Sequence, residues 1–250
     1  MPFYEEIAAE YDEMTGFDVR LRNASAFARR VIGNKVTDSA LDVATGTGLY
    51  ALALAHCGVR SVTGTDLSAD MLKQAEAHAG KRGLGIRWIA GPMEELAERL
   101  AGERFDLLLC LGNSIPHLLH RKALHQTLSG FHSLLRAGGR VFVHVLNYDR
   151  LLEKRERIVE INRRGQVEFV RFYDFREDGL VNFNLLHIRW RDEECEHEIH
   201  STVLYPYRRK ELSGALSDCG FRNVTAYGGI DFGPFEPASS NTCLLAAERP

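Results

Sequence analysis

The sequence predicts an α/β fold in which a parallel β-sheet carries helices on both faces, with an antiparallel β-meander inserted into it. Apolar runs rich in β-forming residues alternate with segments of helical periodicity between residues 40 and 149, as repeated βαβ units do. Between residues 150 and 206 the pattern changes to strands of alternating polar and apolar residues joined by short polar links. A chain of 250 residues is long enough for one such domain with an insertion.

The first part of the chain begins with helical patterns and continues as alternating strands and helices. Phe3, Ile7 and Tyr11 recur at helical spacing and predict an amphipathic helix over residues 3–13. The run FDLLLCL is nearly all apolar, which is typical of a strand covered on both faces. Further helices are predicted at 23–32, 47–57, 68–82, 93–101 and 121–135, and strands at 40–43, 59–65, 86–90, 105–111 and 140–146.

The second part of the chain contains the meander and the last strands of the main sheet. The run 150–164 interleaves basic residues with Glu153, Glu156 and Glu160, which predicts a solvated helix. Beyond it we predict meander strands at 167–175, 180–190 and 195–205, a helix at 208–219, and strands at 221–227 and 241–248.

Composition and charge favour a cytoplasmic protein with free thiols. A net charge of −3 gives no electrostatic reason to bind nucleic acid or an anionic membrane, so neither is expected as a partner. No apolar run is long enough to span a bilayer, and the first twenty residues lack a signal-peptide core. The five cysteines are odd in number and form no CxxC pair, so we expect neither disulfides nor a metal site.

The stretch 41–49 has the pattern of a buried strand, a tight turn and a helix N-terminus. Its apolar run ends in Asp42, and small residues with Gly46 and Gly48 follow. Side chains in such a turn are minimal, so a ligand can approach the backbone closely. The spacing G-x-G-x-x-A, with Asp66 about 20 residues further on, also fits the loose dinucleotide fingerprint. A nicotinamide-dependent oxidoreductase is therefore one interpretation.

Three features favour a cationic ligand over a pyrophosphate. Asp42 precedes the glycines, where it would repel phosphate and attract an amino group or a sulfonium. No basic residue lies in or near the turn to hold phosphate. A polar loop of small residues, 110–118, follows the fourth predicted strand, beside the switch point at which α/β sheets bind ligands.

The order D-V-A-x-G-T-G from Asp42 to Gly48, an acid at the end of the second strand and a polar loop after the fourth resembles the class I S-adenosylmethionine-dependent methyltransferases. That resemblance implies a Rossmann-like seven-stranded sheet whose last strand is antiparallel, and S-adenosyl-L-methionine as the cofactor. It also implies three parts of the chain. These are an N-terminal helical lid (1–39), a cofactor-binding domain (40–149 and 207–250) and an inserted antiparallel substrate or cap subdomain (150–206).

Four further motifs resemble the glycine N-methyltransferase-like branch of that family. They are LCLGNSxxHL at 109–118, NYD at 147–149, LYP at 204–206 and DFxP at 231–234. Each motif is short, but their common order makes the resemblance specific. It implies a small-molecule methyl acceptor, with an amine as the first candidate, and it leaves a homo-oligomer open.

The resemblance implies how the cofactor is held. Asp42 would hold the amino group of the cofactor, Asp66 its ribose hydroxyls and Arg22 its carboxylate. Pro92 stands where many members have an aspartate for adenine, so packing by Met93 and backbone groups would replace that contact. The residues assigned to cofactor binding are Tyr11, Arg22, Asp42, Ala44, Gly46, Gly48, Asp66, Leu67, Met71, Met93, Leu111 and His117.

Simpler roles stay open for several of these residues. Tyr11 and Met71 also fit the apolar core, and Arg22 fits an exposed surface arginine. Asp66 also fits a cap on the helix that follows Ser68. His117 is expected to be structural or to contact the cofactor rather than to act as a general base.

The resemblance also implies the acceptor side of the site. Asn113 and Tyr205 are assigned catalytic roles, and Asn113, Asn147, Tyr148 and Tyr205 are assigned to substrate binding. The amide oxygen of Asn113 can accept a hydrogen bond from a substrate amine and so aim its lone pair. Methyl transfer is an in-line displacement, so alignment and exclusion of water suffice without a strong base.

Two departures from the branch concern the acceptor. Leu146 stands where the glycine enzymes have an arginine that grips the substrate carboxylate, and Phe235 replaces a tyrosine. We therefore predict an N-methyltransferase for a small amine other than glycine, unless Arg20, Arg171 or Arg189 reaches the site. One alternative is a methyltransferase for another small acceptor. The others are a nicotinamide-dependent oxidoreductase and a catalytically silent binding protein of this fold. The meander is expected to cap the pocket or to form a subunit interface.

Overall fold

Two β-sheets organise this computed structural model, which describes residues 16–191 and 194–250. The predicted helix 3–13, and with it Tyr11, lies outside these residues. The α-helices described are α1 (Phe17–Ile32), α2 (Leu49–His56), α3 (Ala69–Lys81), α4 (Leu96–Arg99), α5 (Arg121–Leu134), α6 (Tyr148–Lys154) and α7 (Arg209–Asp218). The strands are β1 (Ser39–Val43), β2 (Ser61–Asp66), β3 (Arg87–Ala90), β4 (Phe105–Cys110), β5 (Leu135–Leu146), β6 (Ile158–Arg164), β7 (Val167–Phe175), β8 (Val181–Arg191), β9 (Glu194–Leu204), β10 (Arg222–Tyr227) and β11 (Thr242–Glu248).

The larger sheet has seven strands in the order β10-β11-β5-β4-β1-β2-β3. β1 pairs in parallel with both β2 and β4, and β11 is antiparallel to both of its neighbours. This confirms the predicted α/β fold with an antiparallel last strand. The strand order reverses between β1 and β4, and the register places Val43 beside Cys110 there. The loops that follow these two strands therefore leave the sheet side by side.

β4 shows why the central strands are apolar throughout. Leu108 and Cys110 join the apolar cluster that contains the buried faces of α5 and α7. Leu107 and Leu109 join the cluster on the opposite face of the sheet, with α1 and α2. All four side chains are fully buried, so this strand contributes to the hydrophobic core on both faces.

The smaller sheet is an antiparallel meander in the order β6-β7-β8-β9. Tyr173 and Val181 from its buried face join the same apolar cluster as β4. After β9 the chain is tied to the loop that follows β4. The Tyr205 N–H donates to the Pro116 carbonyl at 2.8 Å, and the buried Tyr207 hydroxyl donates to the Leu118 carbonyl at 2.6 Å.

The helix predicted over 150–164 is wrong for its second half, which forms the edge strand β6. Interleaved charges suit an edge strand as well as a helix, and pairing with β7 decides between them. Ile161 lies opposite Val170, and Glu160 forms an ion pair with Arg171 across the strands. The helical half is α6, which ends at Lys154, directly before the left-handed Arg155.

Two predicted boundaries also change. α1 begins at Phe17 rather than at residue 23, directly after Gly16, which has a left-handed φ of 69°. β5 begins at Leu135 rather than at residue 140, because Leu135 pairs with Phe105 at the start of β4.

The Trp88 indole fills the space beneath the turn that follows β1. Gly64 on β2 lies directly opposite Trp88 on β3. A Cβ on Gly64 would lie 2.3 Å from the indole, and one on Gly48 would lie 2.9 Å from it. Both glycines are therefore required by close packing, and Gly48 also by its φ of 86°.

The packing around Trp88 predicts that Gly64→Ala lowers the free energy of unfolding by about 1–3 kcal/mol, because the added methyl group overlaps the ring. Gly80→Ala is the control, since no atom lies within 4 Å of the added Cβ on this exposed position of α3. Alanine should leave stability unchanged there or raise it by up to about 1 kcal/mol. Urea denaturation followed by circular dichroism measures both changes. Equal midpoints for wild type and Gly64→Ala would contradict the close packing.

Candidate functional site

A pocket opens at the carboxyl ends of β1, β2, β3 and β4, where the strand order reverses. Its walls come from the loops after these strands and from the first turns of α1. Nine of the residues predicted to bind the cofactor line it. They are Asp42, Ala44, Gly46, Asp66, Leu67, Met71, Met93, Leu111 and His117.

The turn after β1 presents its backbone to this pocket. Ala44, Gly46 and Gly48 all have left-handed φ angles, of 53°, 57° and 86°. The Thr45 N–H donates to the Thr65 carbonyl at 2.8 Å, which anchors the turn to the end of β2. Ala44 adopts this conformation against its intrinsic preference, and such strain is found at functional sites. Gly48 packs against Leu52 and Trp88 and is not among the lining residues.

Asp66 ties together the loops that follow β1 and β2. One carboxylate oxygen accepts the Gly46 N–H at 2.8 Å, and the other accepts the Ser68 N–H at 2.9 Å. The cap of α3 is the Ser68 hydroxyl, which accepts the Met71 N–H. Burial raises the pKa of Asp66 above its usual value. A carboxylate has about four acceptor positions, so Asp66 can also accept from a ligand hydroxyl.

Asp42 is almost fully buried, with 2% of its surface exposed. One of its oxygens accepts the Thr45 hydroxyl at 2.5 Å and the Ala51 N–H at 3.0 Å. Burial raises the pKa of Asp42 to about 7, and repulsion from Asp66 adds to that rise. Its carboxylate is therefore poised to ionise when a positive charge arrives.

Arg20 is the sole lysine or arginine among the residues that line the pocket in the described part of the chain. Arg22, the arginine selected from the sequence, is exposed and does not line it. Residues two positions apart on a helix point about 200° apart, so one of the pair must face outward. Arg20 lies three residues after the buried Phe17 and four before the buried Ala24, so the helical phase is the signal that selects it.

Asn113 is not itself among the residues that line the pocket, although its neighbours Gly112 and Ser114 are. Its amide NH₂ donates to the Tyr148 hydroxyl at 3.0 Å, and its amide oxygen accepts the Leu146 N–H at 3.0 Å. One amide N–H and one lone pair of the oxygen are not used by these two bonds. Burial raises the pKa of Tyr148, so it stays a neutral phenol.

The structure does not bring Asn147, Tyr148 or Tyr205 into the lining of the pocket. Asn147 is 3% exposed, and its amide bonds to the carbonyls of Pro237 and Ser240 at 2.9 Å each. The amide oxygen of Asn147 also caps α6, so both ends of the amide are engaged in holding the fold. The Tyr205 hydroxyl donates to Glu211 at 3.3 Å, and its catalytic role stays a prediction.

Two half-buried histidines lie close to the loop after β4. His117 lines the pocket, and the backbone N–H of Asn113 donates to the carbonyl of His144 at 3.0 Å. Burial lowers the pKa of each imidazole to about 4, so both are neutral near pH 7. Such imidazoles are weak bases, which agrees with the expectation that His117 is not a general base.

Comparison with known proteins identifies the family. A model of the methyltransferase domain matches residues 40–139. The ubiquinone biosynthesis O-methyltransferase of Erwinia tasmaniensis is 31% identical over 192 residues, which cover 75% of this chain and 71% of that protein. The chain belongs to the class I S-adenosylmethionine-dependent methyltransferases.

Other members of the family resemble the chain over a greater length. The glycine/sarcosine N-methyltransferase of Aphanothece halophytica is 26% identical over 232 residues, covering 90% of this chain and 82% of that protein. An S-adenosylmethionine-dependent methyltransferase from Clostridium acetobutylicum has the same fold, with a TM-score of 0.81, 20% identity and 98% of each chain covered. The predicted family, its enzymatic activity and its cofactor, S-adenosylmethionine, are thereby confirmed. Among the described helices of this methyltransferase, none has the length and apolar character that crossing a membrane requires.

The raised pKa of Asp42 predicts a pH-dependent affinity for S-adenosylmethionine. A cationic ligand favours the ionised carboxylate, so binding below about pH 7 must release a proton. Affinity should fall by about tenfold for each pH unit below that pKa and level off above it.

Isothermal titration calorimetry between pH 5.5 and 8, in buffers of different ionisation enthalpy, measures both the affinity and the proton release. Asp42→Asn is the control, because the titration of the ligand itself is common to both proteins. The variant should lose the proton release assigned to Asp42. Equal proton release by wild type and variant would contradict this role of Asp42.

Proposed function

We propose that the protein methylates the nitrogen of a small-molecule amine that carries no carboxylate beside that nitrogen. The observation that supports this most directly is the corner formed by Leu146 and Asn113 at the ends of β5 and β4. There the Leu146 N–H bonds to the amide that would orient the acceptor, and the Leu146 side chain is half-buried against the apolar core. An apolar residue at this place offers nothing to a carboxylate.

The other arginines considered for a carboxylate are engaged elsewhere or belong to the cofactor pocket. Arg171 pairs with Glu160, and Arg189 lies 4.0 Å from Glu198. Neither is among the residues that line the pocket. Arg20 does line it, and we assign it to the carboxylate of S-adenosylmethionine in place of Arg22.

The residues of the pocket fit this cofactor. Asp66 offers two acceptor oxygens to a ribose diol, and Asp42 offers a negative charge to the ammonium and sulfonium groups. The left-handed turn lets the methionine part lie against the backbone. Leu67 and Met71 provide an apolar face for adenine, as does Met93 from the loop after β3.

Nitrogen is favoured over oxygen as the acceptor atom by the chemistry of the loop. A hydroxyl must lose its proton before it is a good nucleophile, whereas a neutral amine already presents a lone pair. His117 is the titratable side chain that the 111–118 loop contributes to the pocket, and its low pKa makes it a poor base. Curated relatives that match about 90% of this chain are named glycine/sarcosine N-methyltransferases, which supports the same choice.

The proposed mechanism depends on alignment. Bound S-adenosylmethionine supplies an electrophilic methyl group on a sulfonium. Asn113 would accept a hydrogen bond from the amine and so direct its lone pair, while Tyr148 and the Leu146 N–H hold the Asn113 amide in one orientation. Leu111 and Leu146 would help to exclude water from the acceptor. Such positioning supplies on the order of 7–11 kcal/mol of barrier reduction.

The apolar corner predicts the substrate range. Purified protein with S-adenosylmethionine should methylate amines without a carboxylate at a kcat/KM about tenfold to 100-fold above that for glycine, since a charge-assisted pair to a carboxylate is worth about 1.5–3 kcal/mol. Release of S-adenosylhomocysteine, measured across a panel of amines, tests this. Turnover of glycine as efficient as that of the best amine would contradict the proposal.

Leu146→Arg should shift the preference toward glycine by about tenfold to 100-fold, because it restores a cation at the corner. Leu146→Met is the matched control, since it keeps the volume and the apolar character of the side chain and should keep the substrate ranking of the wild type. A Leu146→Arg variant that stays folded and shows the wild-type ranking would place the acceptor elsewhere.

A further inference from the structure

The first turn of α1 is fastened to the end of α3 by two side chains on each side. The Phe17 ring stacks on the His78 imidazole, with the ring centroids 3.9 Å apart and the ring planes 5° from parallel. The Arg82 guanidinium donates to the Asp18 carboxylate at 2.7 Å and lies 5.6 Å from the centroid of the Phe17 ring. We call these four residues the α1–α3 clasp.

Packing of the rings and the guanidinium dominates the clasp. His78 and Arg82 are four residues apart, so their side chains lie on the same face of α3. The Arg82 guanidinium also donates to the His78 carbonyl at 3.2 Å, which holds it against the end of the helix. Phe17 is 5% exposed, whereas the Asp18 side chain is 82% exposed. An ion pair to such an exposed carboxylate contributes little by itself, so the stacked rings and the guanidinium provide most of the contact.

The clasp joins two sides of the cofactor pocket. Arg20 follows Phe17 by one helical turn and lines the pocket from α1. α3 begins at the other side, where Ser68 and Met71 line the pocket and the Ser68 N–H donates to Asp66. A ligand that reaches from Asp66 to Arg20 therefore depends on the spacing between α1 and α3.

The rest of α1 is fixed without the clasp. Phe27 is buried, and its ring centroid lies 5.6 Å from that of Tyr50 on α2 and 6.1 Å from that of Phe142 on β5. The first turn has no such support from a cap, because its N-cap residue is Gly16, which offers no side-chain hydrogen bond. The position of the first turn therefore depends on Phe17 and on the other clasp residues.

We propose that the α1–α3 clasp holds Arg20 at the spacing from Asp66 that S-adenosylmethionine requires. Phe17, His78 and Arg82 are then positioning residues for cofactor binding, since they act through Arg20 and do not line the pocket themselves. A turn that is ordered before the ligand arrives avoids the free-energy cost of ordering it on binding. This inference rests on the proposed function, in which Arg20 is assigned to the carboxylate of the cofactor.

Two ligands separate this role from a general loss of structure. S-adenosylhomocysteine carries the nucleoside and the amino acid part, whereas 5′-deoxy-5′-methylthioadenosine carries the nucleoside without the amino and carboxylate groups. Isothermal titration calorimetry on the full chain measures both dissociation constants. Arg82→Met should raise the Kd of S-adenosylhomocysteine about threefold to tenfold, because binding must then order the turn. Phe17→Leu should do the same, and neither variant should change the Kd of methylthioadenosine.

Each variant has a matched control. Lys81→Met removes the same charge as Arg82→Met from the neighbouring exposed residue of α3, and it should leave both dissociation constants unchanged. Phe221→Leu removes a buried ring from the apolar cluster on the opposite face of the sheet, and it should also leave both unchanged.

Arg20→Gln separates this inference from the assignment on which it rests. It should raise the Kd of S-adenosylhomocysteine about tenfold to 100-fold. Adding Arg82→Met should then cause no further loss, because the clasp acts through Arg20. Wild-type affinity in Arg20→Gln would overturn the assignment of Arg20 and the role of the clasp with it.

Two other results would overturn the clasp alone and leave the assignment of Arg20 intact. One is a weakened Arg20→Gln variant together with wild-type affinity for S-adenosylhomocysteine in both Arg82→Met and Phe17→Leu. The other is an equal loss of affinity for the two ligands in the clasp variants, which would indicate a structural role.

Discussion

Two carboxylates at the ends of neighbouring parallel strands, one buried and one half-buried, are the constraint on which the site depends. Asp42 precedes the end of β1 by one residue, and Asp66 ends β2. Both lose water on folding, and burial raises both pKa values. The Thr45 hydroxyl and backbone N–H groups offset part of this cost. A bound cation would offset much of the remaining desolvation cost. The two carboxylates, which are unfavourable in the free protein, therefore favour a cationic ligand.

The rest of the fold positions the backbone N–H groups and the loops around these two carboxylates. Left-handed Gly46 turns its N–H toward Asp66, and the Trp88 indole fills the space that Gly48 and Gly64 leave behind the turn. Because β4 lies directly beside β1, the loop with Asn113 reaches the same pocket edge. The cofactor pocket and the proposed acceptor corner at Leu146 are therefore neighbours, and His117, the titratable side chain of the 111–118 loop in the pocket, has a lowered pKa that makes it a poor base.

Much of the cofactor side could be predicted from the sequence because its signals are local. The strand, turn and helix around Asp42 follow from local chemistry, whereas the cofactor roles of Asp42 and Asp66 come from the family resemblance. Arg20 rather than Arg22 lines the pocket, and the helical phase of α1 relative to its buried Phe17 distinguishes the two arginines. Edge strand β6 was missed because its pairing with β7 is a non-local interaction that charge patterning does not encode.

The acceptor side was harder to predict from motifs. A motif residue can contact the substrate or can support the fold, and the sequence does not distinguish these roles. Asn147 caps α6 and bonds to two backbone carbonyls, and the Tyr205 hydroxyl bonds to Glu211. Asn113 depends on Tyr148 and on the Leu146 backbone for its orientation. We therefore expect that the acceptor is chosen by the Leu146 corner.

A crystal structure with S-adenosylhomocysteine is the most direct measurement of the central claim that the two carboxylates bind the cofactor. The account predicts that Asp66 lies within about 3 Å of both ribose hydroxyls, that Asp42 faces the amino group and that Arg20 faces the carboxylate. A nucleoside bound away from Asp66, or a ligand carboxylate directed at Asp42, would contradict it.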